Sequence, residues 1–355
     1  MTDQRPVAAE VLTLEDEARW RQLLPARGGV FGSVEFARIQ QRHTGGDPRL
    51  FAVTASGGEI VHPLVLRPVS ELPFGNGPAS PLHDAATPPY SGPLHRGPLD
   101  ADARSAFADA LARWCADTAV VTEFGHLHPW RARTELLDPA GVEADREIVY
   151  VDLTLDPESL WRDSFTHACR KNINRARREG VRVFEATTEA HARELHRIYE
   201  QTMERRGALD AYRVPPDFFF SFLEQMPDNA RIVLAEHEGR VAAATLYLYD
   251  DDDAYSYLGG SDHQFQRMRP TNAVVHDMIL WARDRGIKRL VLGGGYGPDD
   301  GILRFKSSFS PLRRDFQVYR WVHLPDAYAE LVERWRERHD GAEVGSYFPP
   351  YRSSR

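Results

Sequence analysis

Lysine is rare in this chain of 355: Lys171, Lys288 and Lys306 are its three lysines, and the other 41 of its 44 basic residues are arginine. Cysteine is scarcer still. Cys115 and Cys169 are too few for a disulfide framework, and neither stands in a C-x-x-C pair or beside histidines at zinc spacing. Both are expected as core thiols, with no metal site. No run approaches 18 consecutive apolar residues, which excludes a membrane-spanning helix. The opening M-T-D-Q-R-P has no apolar segment of the signal-peptide kind, so the expected location is cytoplasmic. A net charge of −8 excludes a surface that coats nucleic acid generally, and DNA is not expected as a partner. Any phosphate contact needs a local basic patch.

What is present suits ordinary cores: 42% of residues are hydrophobic and 10% aromatic, and the length argues for about two domains. Residues 11–43 read as helical, with Ser33 opening a second helix. Apolar strands at 49–53 and 60–66 are joined by A-S-G-G-E, a hairpin signal. The stretch 68–98, dense in proline and glycine, reads as a long structured loop. A helix over 103–116, ending in Trp114, leads to a strand at 119–124 and to G-H-L-H-P. His126 and His128 have no third ligand nearby and are expected as core or loop histidines. The second half repeats the order: strands at 231–235 and 241–249 joined by E-H-E-G-R, a helix over 272–284 with Trp281, and a strand at 288–292. This echo predicts an α/β fold of two tandem copies of one module, residues 1–150 and 151–355, each a mixed twisted sheet flanked by helices. The four acids 250–253 are expected in a solvated turn between strands.

Residues 162–182 hold seven basic residues against Asp163 and Glu179, a local charge of +5. Asp156 and Pro157 mark a helix start, and the pattern runs through Phe165 to a stop at Gly180. On that helix Arg170, Lys171, Asn174, Arg175 and Arg178 share one face, while Phe165, Cys169, Ile173 and Ala176 form the buried stripe. A cationic face on an acidic chain fits a polyanion, with phosphate the natural partner of arginine. It also fits a solvated arginine-rich helix.

Residues 290–309 read L-V-L-G-G-G-Y-G-P-D-D-G-I-L-R-F-K-S-S-F. A buried strand breaks into a glycine-rich loop, which lets backbone approach a ligand, and an apolar segment follows. Lys306 stands just past it between Phe305 and Phe309. In a chain that otherwise uses arginine, this position either requires a compact ammonium or lets a lysine snorkel from a strand edge.

These two stretches carry a resemblance. R-K-N-I-N-R-A-R-R-E-G-V at 170–181 resembles the R-x-N-I-R-K-A-x-x-x-G-V element of the FemABX family, and L-G-G-G-Y-G-P-D-D-G-I-L-R-F-K-S-S-F resembles its later glycine loop and F-K-x-x-F. T-P-P-Y-S-G-P at 87–93 and F-G-H-L-H-P at 124–129 are similar to weaker first-domain motifs of the same group. The resemblance implies two GNAT-type acyltransferase domains that transfer an aminoacyl group from aminoacyl-tRNA to an amine acceptor and form an amide or peptide bond without a cofactor. It implies that Lys306, with Phe305 beside it, stabilises the oxyanion. The donor would lie against Arg170, Lys171, Asn174, Arg175 and Arg178, and against Arg267, Arg269 and Asn272. Tyr90, Tyr257, Tyr296 and Asp299 are the candidates for acceptor contact, and the general base stays unassigned. The chain departs from the family in S-S-F-S-P after the lysine, where a glycine pair is common. It also lacks the coiled-coil insertion of some peptidoglycan-bridge members.

An acyl-CoA-dependent N-acetyltransferase on the same fold is the main alternative. Such enzymes cradle pyrophosphate with an R/Q-x-x-G-x-G/A turn at a helix start, where glycine lets amides reach the phosphates. Here that stretch is R-M-R-P-T-N at 267–272, with proline and asparagine in place of both glycines, and Pro270 has no N–H to donate. A non-catalytic RNA- or protein-binding module is a further alternative. The glycine loop lacks G-K-S/T and G-x-G-x-x-G, and no G-x-S-x-G elbow occurs.

Overall fold

The computed structural model describes residues 8–24, 29–74, 81–207, 213–295 and 301–353. They form two compact units, Met1–Asp145 with Phe316–Arg355, and Arg146–Asp315. The chain opens with β1 (Ala8–Leu12), α1 (Glu17–Leu23) and α2 (Val34–Thr44). The hairpin β2 (Asp47–Ala55) and β3 (Gly58–Pro68) follows, then β4 (His83–Ala86), β5 (Leu94–Arg96), α3 (Ala101–Asp117) and β6 (Val120–His126). Strand β7 (Val142–Asp152) leads to α4 (Pro157–Ser159), α5 (His167–Arg178), β8 (Arg182–Glu185), α6 (Glu189–Arg206) and α7 (Phe218–Gln225). The hairpin β9 (Ala230–His237) and β10 (Arg240–Tyr249) comes next, then β11 (Asp253–Ser261), α8 (Pro270–Asp284), β12 (Arg289–Gly293) and α9 (Gly301–Ser307). Finally β13 (Arg313–Val322) and α10 (Pro325–Arg338) return the chain to the first unit.

Both units follow one plan. In the first, strands pair in the order β1-β2-β3-β4-β6-β13, with β5 also on β3. In the second the order is β8-β9-β10-β11-β12-β7. Each is an antiparallel series of four strands, then a crossover helix, then a parallel fifth strand (β4 with β6, β11 with β12), then an antiparallel sixth. The two hairpins even share a turn. Ser56 and Gly57 (φ 50° and 78°) and Glu238 and Gly239 (φ 50° and 77°) each put two consecutive residues in the left-handed region. That backbone is the type I′ turn whose twist matches a hairpin.

The boundary differs from the sequence expectation. The units divide between 145 and 146, and residues 316–355 belong to the first, because β13 pairs with β6 (Trp321↔Glu123) and supplies its sixth strand. Residues 11 and 12, read as helical, end an edge strand, Ala8–Leu12, that pairs with the distant β2, a partner no local pattern reveals. Within 68–98 lie β4 and β5 rather than loop alone. Half of the acidic run is buried. Asp253 is fully enclosed and accepts from Arg289 Nε at 2.5 Å, and Asp252 pairs with Lys288 at 3.1 Å, so the acids pin the start of β11 to the start of β12.

In the second unit Val149, Val151, Phe165, Cys169, Ile173, Val274, Met278, Leu290, Leu292 and Phe309 lie in one apolar cluster. It joins α5 and α8 to the sheet, and α9 contributes Leu303 and Phe305 to its margin.

Candidate active site

Strands β11 and β12 pair over Asp253–Tyr255 and Arg289–Val291 only, and β11 then runs on through residues 256–261, all partly exposed. At the parting the β10–β11 ladder also breaks: Leu246 pairs with Leu258 and Tyr247 with Ser256, so Tyr257 is the extra residue of a bulge. A bulge re-aims a side chain and frees backbone groups. Beyond it, Gly259 and Gly260 permit close packing. A Cβ on Gly260 would lie 2.2 Å from Thr202 Oγ1 of α6, and one on Gly259 2.6 Å from the Ala244 carbonyl. The backbone edge past Tyr255 is thus an opening held in place by tight contacts behind it.

Lys306 lies on α9, so the apolar segment after the loop is a helix and not the strand edge of the snorkelling alternative. Its Nζ donates to the carbonyl oxygen of Gly294, just past β12, at 2.6 Å. An ammonium carries three N–H donors, so a bond that fixes its position is compatible with donation to a developing oxyanion. The turn after it is well braced. Ser307 Oγ donates to Leu303 O and accepts from Arg313, and the Ser308 carbonyl accepts from Thr166 N. Phe305 packs edge-to-face on Phe309 and against the core, so it positions α9 and belongs to the packing.

The basic segment folds as two pieces. Asp156 caps α4, residues 160–164 make a wide turn, and Thr166 caps a new helix by accepting from Cys169 N. Arg170 turns back onto that junction and donates to the carbonyls of Trp161, Arg162 and Phe165 at 3.0, 3.1 and 2.5 Å. It is a structural cap rather than part of an open cationic face. Carbonyls left over where a helix breaks need such donors. Arg175 pairs loosely with Glu179, and Asn174 is half-buried. Lys171 and Arg178 are exposed, with no hydrogen bond or ion pair among the described residues. The buried stripe is Cys169, Ile173 and Ala176, as the spacing predicts.

At the start of α8, Arg269 sits in the left-handed region (φ 60°), Pro270 is the first helical residue, and the Asn272 amide is spent on the Arg269 carbonyl at 3.1 Å. Two of the first three backbone positions therefore offer no N–H to an anion. Asn272 is buried, 4% exposed. Cys169, Ser308 and Asn272 come together here, and burial pushes the Cys169 thiol up to about 11, against smaller opposing effects of hydrogen bonds with Ser308 and Asn272. That thiol is neutral near pH 7 and is no nucleophile.

Of the acceptor candidates, Tyr257 is the bulge residue. Tyr90 belongs to the first unit, at φ 46° with its ring among Phe31 and Phe316, a packed position. Tyr296 and Asp299 lie outside the described residues. Arg267 and Arg269 are exposed beside the start of α8. In the first unit His128 Nδ1 accepts from Trp130 N and Arg131 N, the loop role expected of it. The sequence pattern shows neither the bulge nor the burial of Asn272. The G-G pair at 259–260 is the one trace of the first.

Residues 164–307 match the family described as Acetyltransferase (GNAT) domain, an interval inside the second unit. No functionally curated protein matches the sequence. Among solved structures, FemX aligns with a TM-score of 0.67 at 12% identity, over 91% of this chain and 99% of its own. The C-terminal domain of a putative lysylphosphatidylglycerol synthetase from Agrobacterium fabrum aligns at 0.55 with 13% identity, over 91% and 96%. A conserved protein of unknown function from Bacteroides thetaiotaomicron aligns at 0.57 with 11% identity, over 89% and 100%. Likeness at such identities is likeness of fold. The chain is FemX-like in fold, and its second unit carries the GNAT-type acyltransferase domain.

Proposed function

We propose that this acyltransferase fold takes its acyl group from aminoacyl-tRNA and places it on the amine of a cell-wall precursor, a peptide or a specialised metabolite. The observation that carries the choice of donor is the start of α8. A pyrophosphate cradle at a helix N-terminus works through free backbone amides. Here Pro270 has none and that of Asn272 is already bonded. The exposed Lys171 and Arg178 on α5 supply cationic contact of the kind an RNA backbone takes.

In the reaction the acceptor amine, as the free base, attacks the ester carbonyl of the donor. The carbon–nitrogen bond forms, the carbon–oxygen bond to the ribose breaks, and the amine proton ends on the ribose hydroxyl. Lys306 donates to the oxyanion of the tetrahedral intermediate while Gly294 holds it. The donor carbonyl is placed along β11 at the Tyr257 bulge, past the stretch paired with β12.

An acyl-CoA donor is favoured by one observation, the exposed Arg267 and Arg269 beside the helix start, which could grip phosphates as side chains. The test supplies purified protein with a pool of tRNA charged with labelled amino acids, with and without RNase, and separately with acetyl-CoA, and follows label into amines. RNase-sensitive transfer is the expected result. Transfer that resists RNase, or that proceeds with the thioester alone, would overturn the choice of donor.

A further inference from the structure

The first unit buries a carboxylate among three other metal-binding side chains. Glu123 on β6 is fully enclosed, with Oε1 2.8 Å from His62 Nε2 of β3 and Oε2 3.1 Å from His323 Nε2, just past β13. Cys115, on the last turn of α3, adds its sulfur. The donor atoms of Cys115, Glu123 and His323 all lie within 4.8 Å of one another. Three distant parts of the sequence are brought together by the pairing of β13 with β6 and by the covering helix α3. None of them lies in the stretches the transfer reaction uses.

Taking a charge out of water is costly unless it is paired or bound to metal. The contact between His323 Nε2 and Glu123 Oε2 fits either a shared proton or a shared cation. The donor set decides which ion would suit. Thiolate and imidazole disfavour magnesium and calcium, and sulfur, nitrogen and oxygen together suit tetrahedral zinc. Bonds of about 2.0–2.3 Å place tetrahedral ligands about 3.3–3.8 Å apart, so the wider separations need close by no more than about 1.5 Å and the 3.1 Å pair opens slightly. Thiolate and carboxylate together neutralise a divalent ion. His323, its side chain 11% exposed, gives the route in.

We propose that Cys115, Glu123 and His323 form a site for one zinc-class divalent cation, a water completing the tetrahedron, with His62 donating to Oε1 and orienting the carboxylate toward the ion. On binding, the sulfur–hydrogen bond of Cys115 is replaced by a sulfur–metal bond and the proton leaves to solvent, so affinity rises with pH.

The test uses the full chain, stripped with a chelator and titrated with zinc, cobalt or magnesium chloride. Expected are one zinc per chain by elemental analysis and a melting temperature that rises with zinc but not with magnesium. Cobalt should give a thiolate-to-metal absorption band that disappears in Cys115→Ser. His62→Gln should keep the stoichiometry and weaken affinity about 10–100-fold, as loss of a partner behind a ligand does. A wild-type chain that shows neither a zinc-dependent melting shift nor the cobalt band overturns the site, whether or not the variants fold. A cobalt band that persists in folded Cys115→Ser overturns the assignment of its sulfur.

Discussion

Lys306 Nζ stands 2.6 Å from the carbonyl oxygen of Gly294, so the ammonium is anchored to the backbone where β12 gives way to the glycine loop. Gly294 is itself constrained. A Cβ there would lie 2.9 Å from the Glu147 carbonyl of β7, so the acceptor of this bond cannot drift. Under the proposed mechanism Lys306→Met removes an oxyanion donor and should lower turnover on the order of 100–1,000-fold. It also removes one charged hydrogen bond, about 1.5–3 kcal/mol, which amounts to a melting temperature lower by several degrees. Lys306→Arg should keep most of the stability and little of the rate, since a planar fork cannot occupy the place of a point donor. Turnover near wild type in Lys306→Met would remove the lysine from the mechanism.

The basic helix separates into residues of two kinds. Lys171→Ala and Arg178→Ala should each reduce the salt slope of tRNA binding by roughly 0.7–0.9 while leaving the melting curve in place. Arg170→Ala should do the reverse, because its guanidinium holds three carbonyls at the junction before α5. Binding measured against salt, beside thermal melts of the same variants, checks both halves. Equal slopes for wild type, Lys171→Ala and Arg178→Ala would return these side chains to the solvent.

His276 gives the second unit a pH dependence. It lies between Trp161 and Phe165, with ring centroids 5.8 and 6.0 Å away, and burial first, then the positive charge of Arg177, lowers its pKa from 6.5. The fold favours the neutral ring, so the unfolded chain binds the extra proton first. Stability contributed by His276 is therefore complete above about pH 6.5 and is lost as pH falls below it. Melting of wild type and His276→Gln between pH 8 and 5 should diverge above 6.5 and converge below it. Parallel curves throughout would show that the ring does not titrate on unfolding.

The sequence is most informative where a feature depends on neighbours in the chain. Both hairpins announce themselves by a glycine at the second turn position. Ser33 caps α2 by accepting from Phe36 N as its position predicts, and the bias toward arginine is enough to single out Lys306. What stays hidden depends on distant partners. Charge spacing cannot tell an arginine that faces solvent from one that turns back onto carbonyls, so spacing alone puts Arg170 on the wrong side of that division. The bulge at Tyr257 arises from a ladder slip between two strands, and the cluster around Glu123 draws on α3, β3, β6 and the residue after β13. No local window contains these relationships.

The sixth strand of each unit sets an order of events during synthesis. Arg146–Asp315 is one continuous stretch that begins with its own last strand, β7, so it holds everything its sheet requires once β12 has left the ribosome. The first unit has no such independence. Its β6 keeps one hydrogen-bonding edge unfilled until β13 emerges, after the whole second unit has been made. An open edge is a template for wrong pairing. A nascent chain stalled or cut before residue 316 would therefore carry a finished acyltransferase half beside an unfinished one, and aggregation would begin at β6.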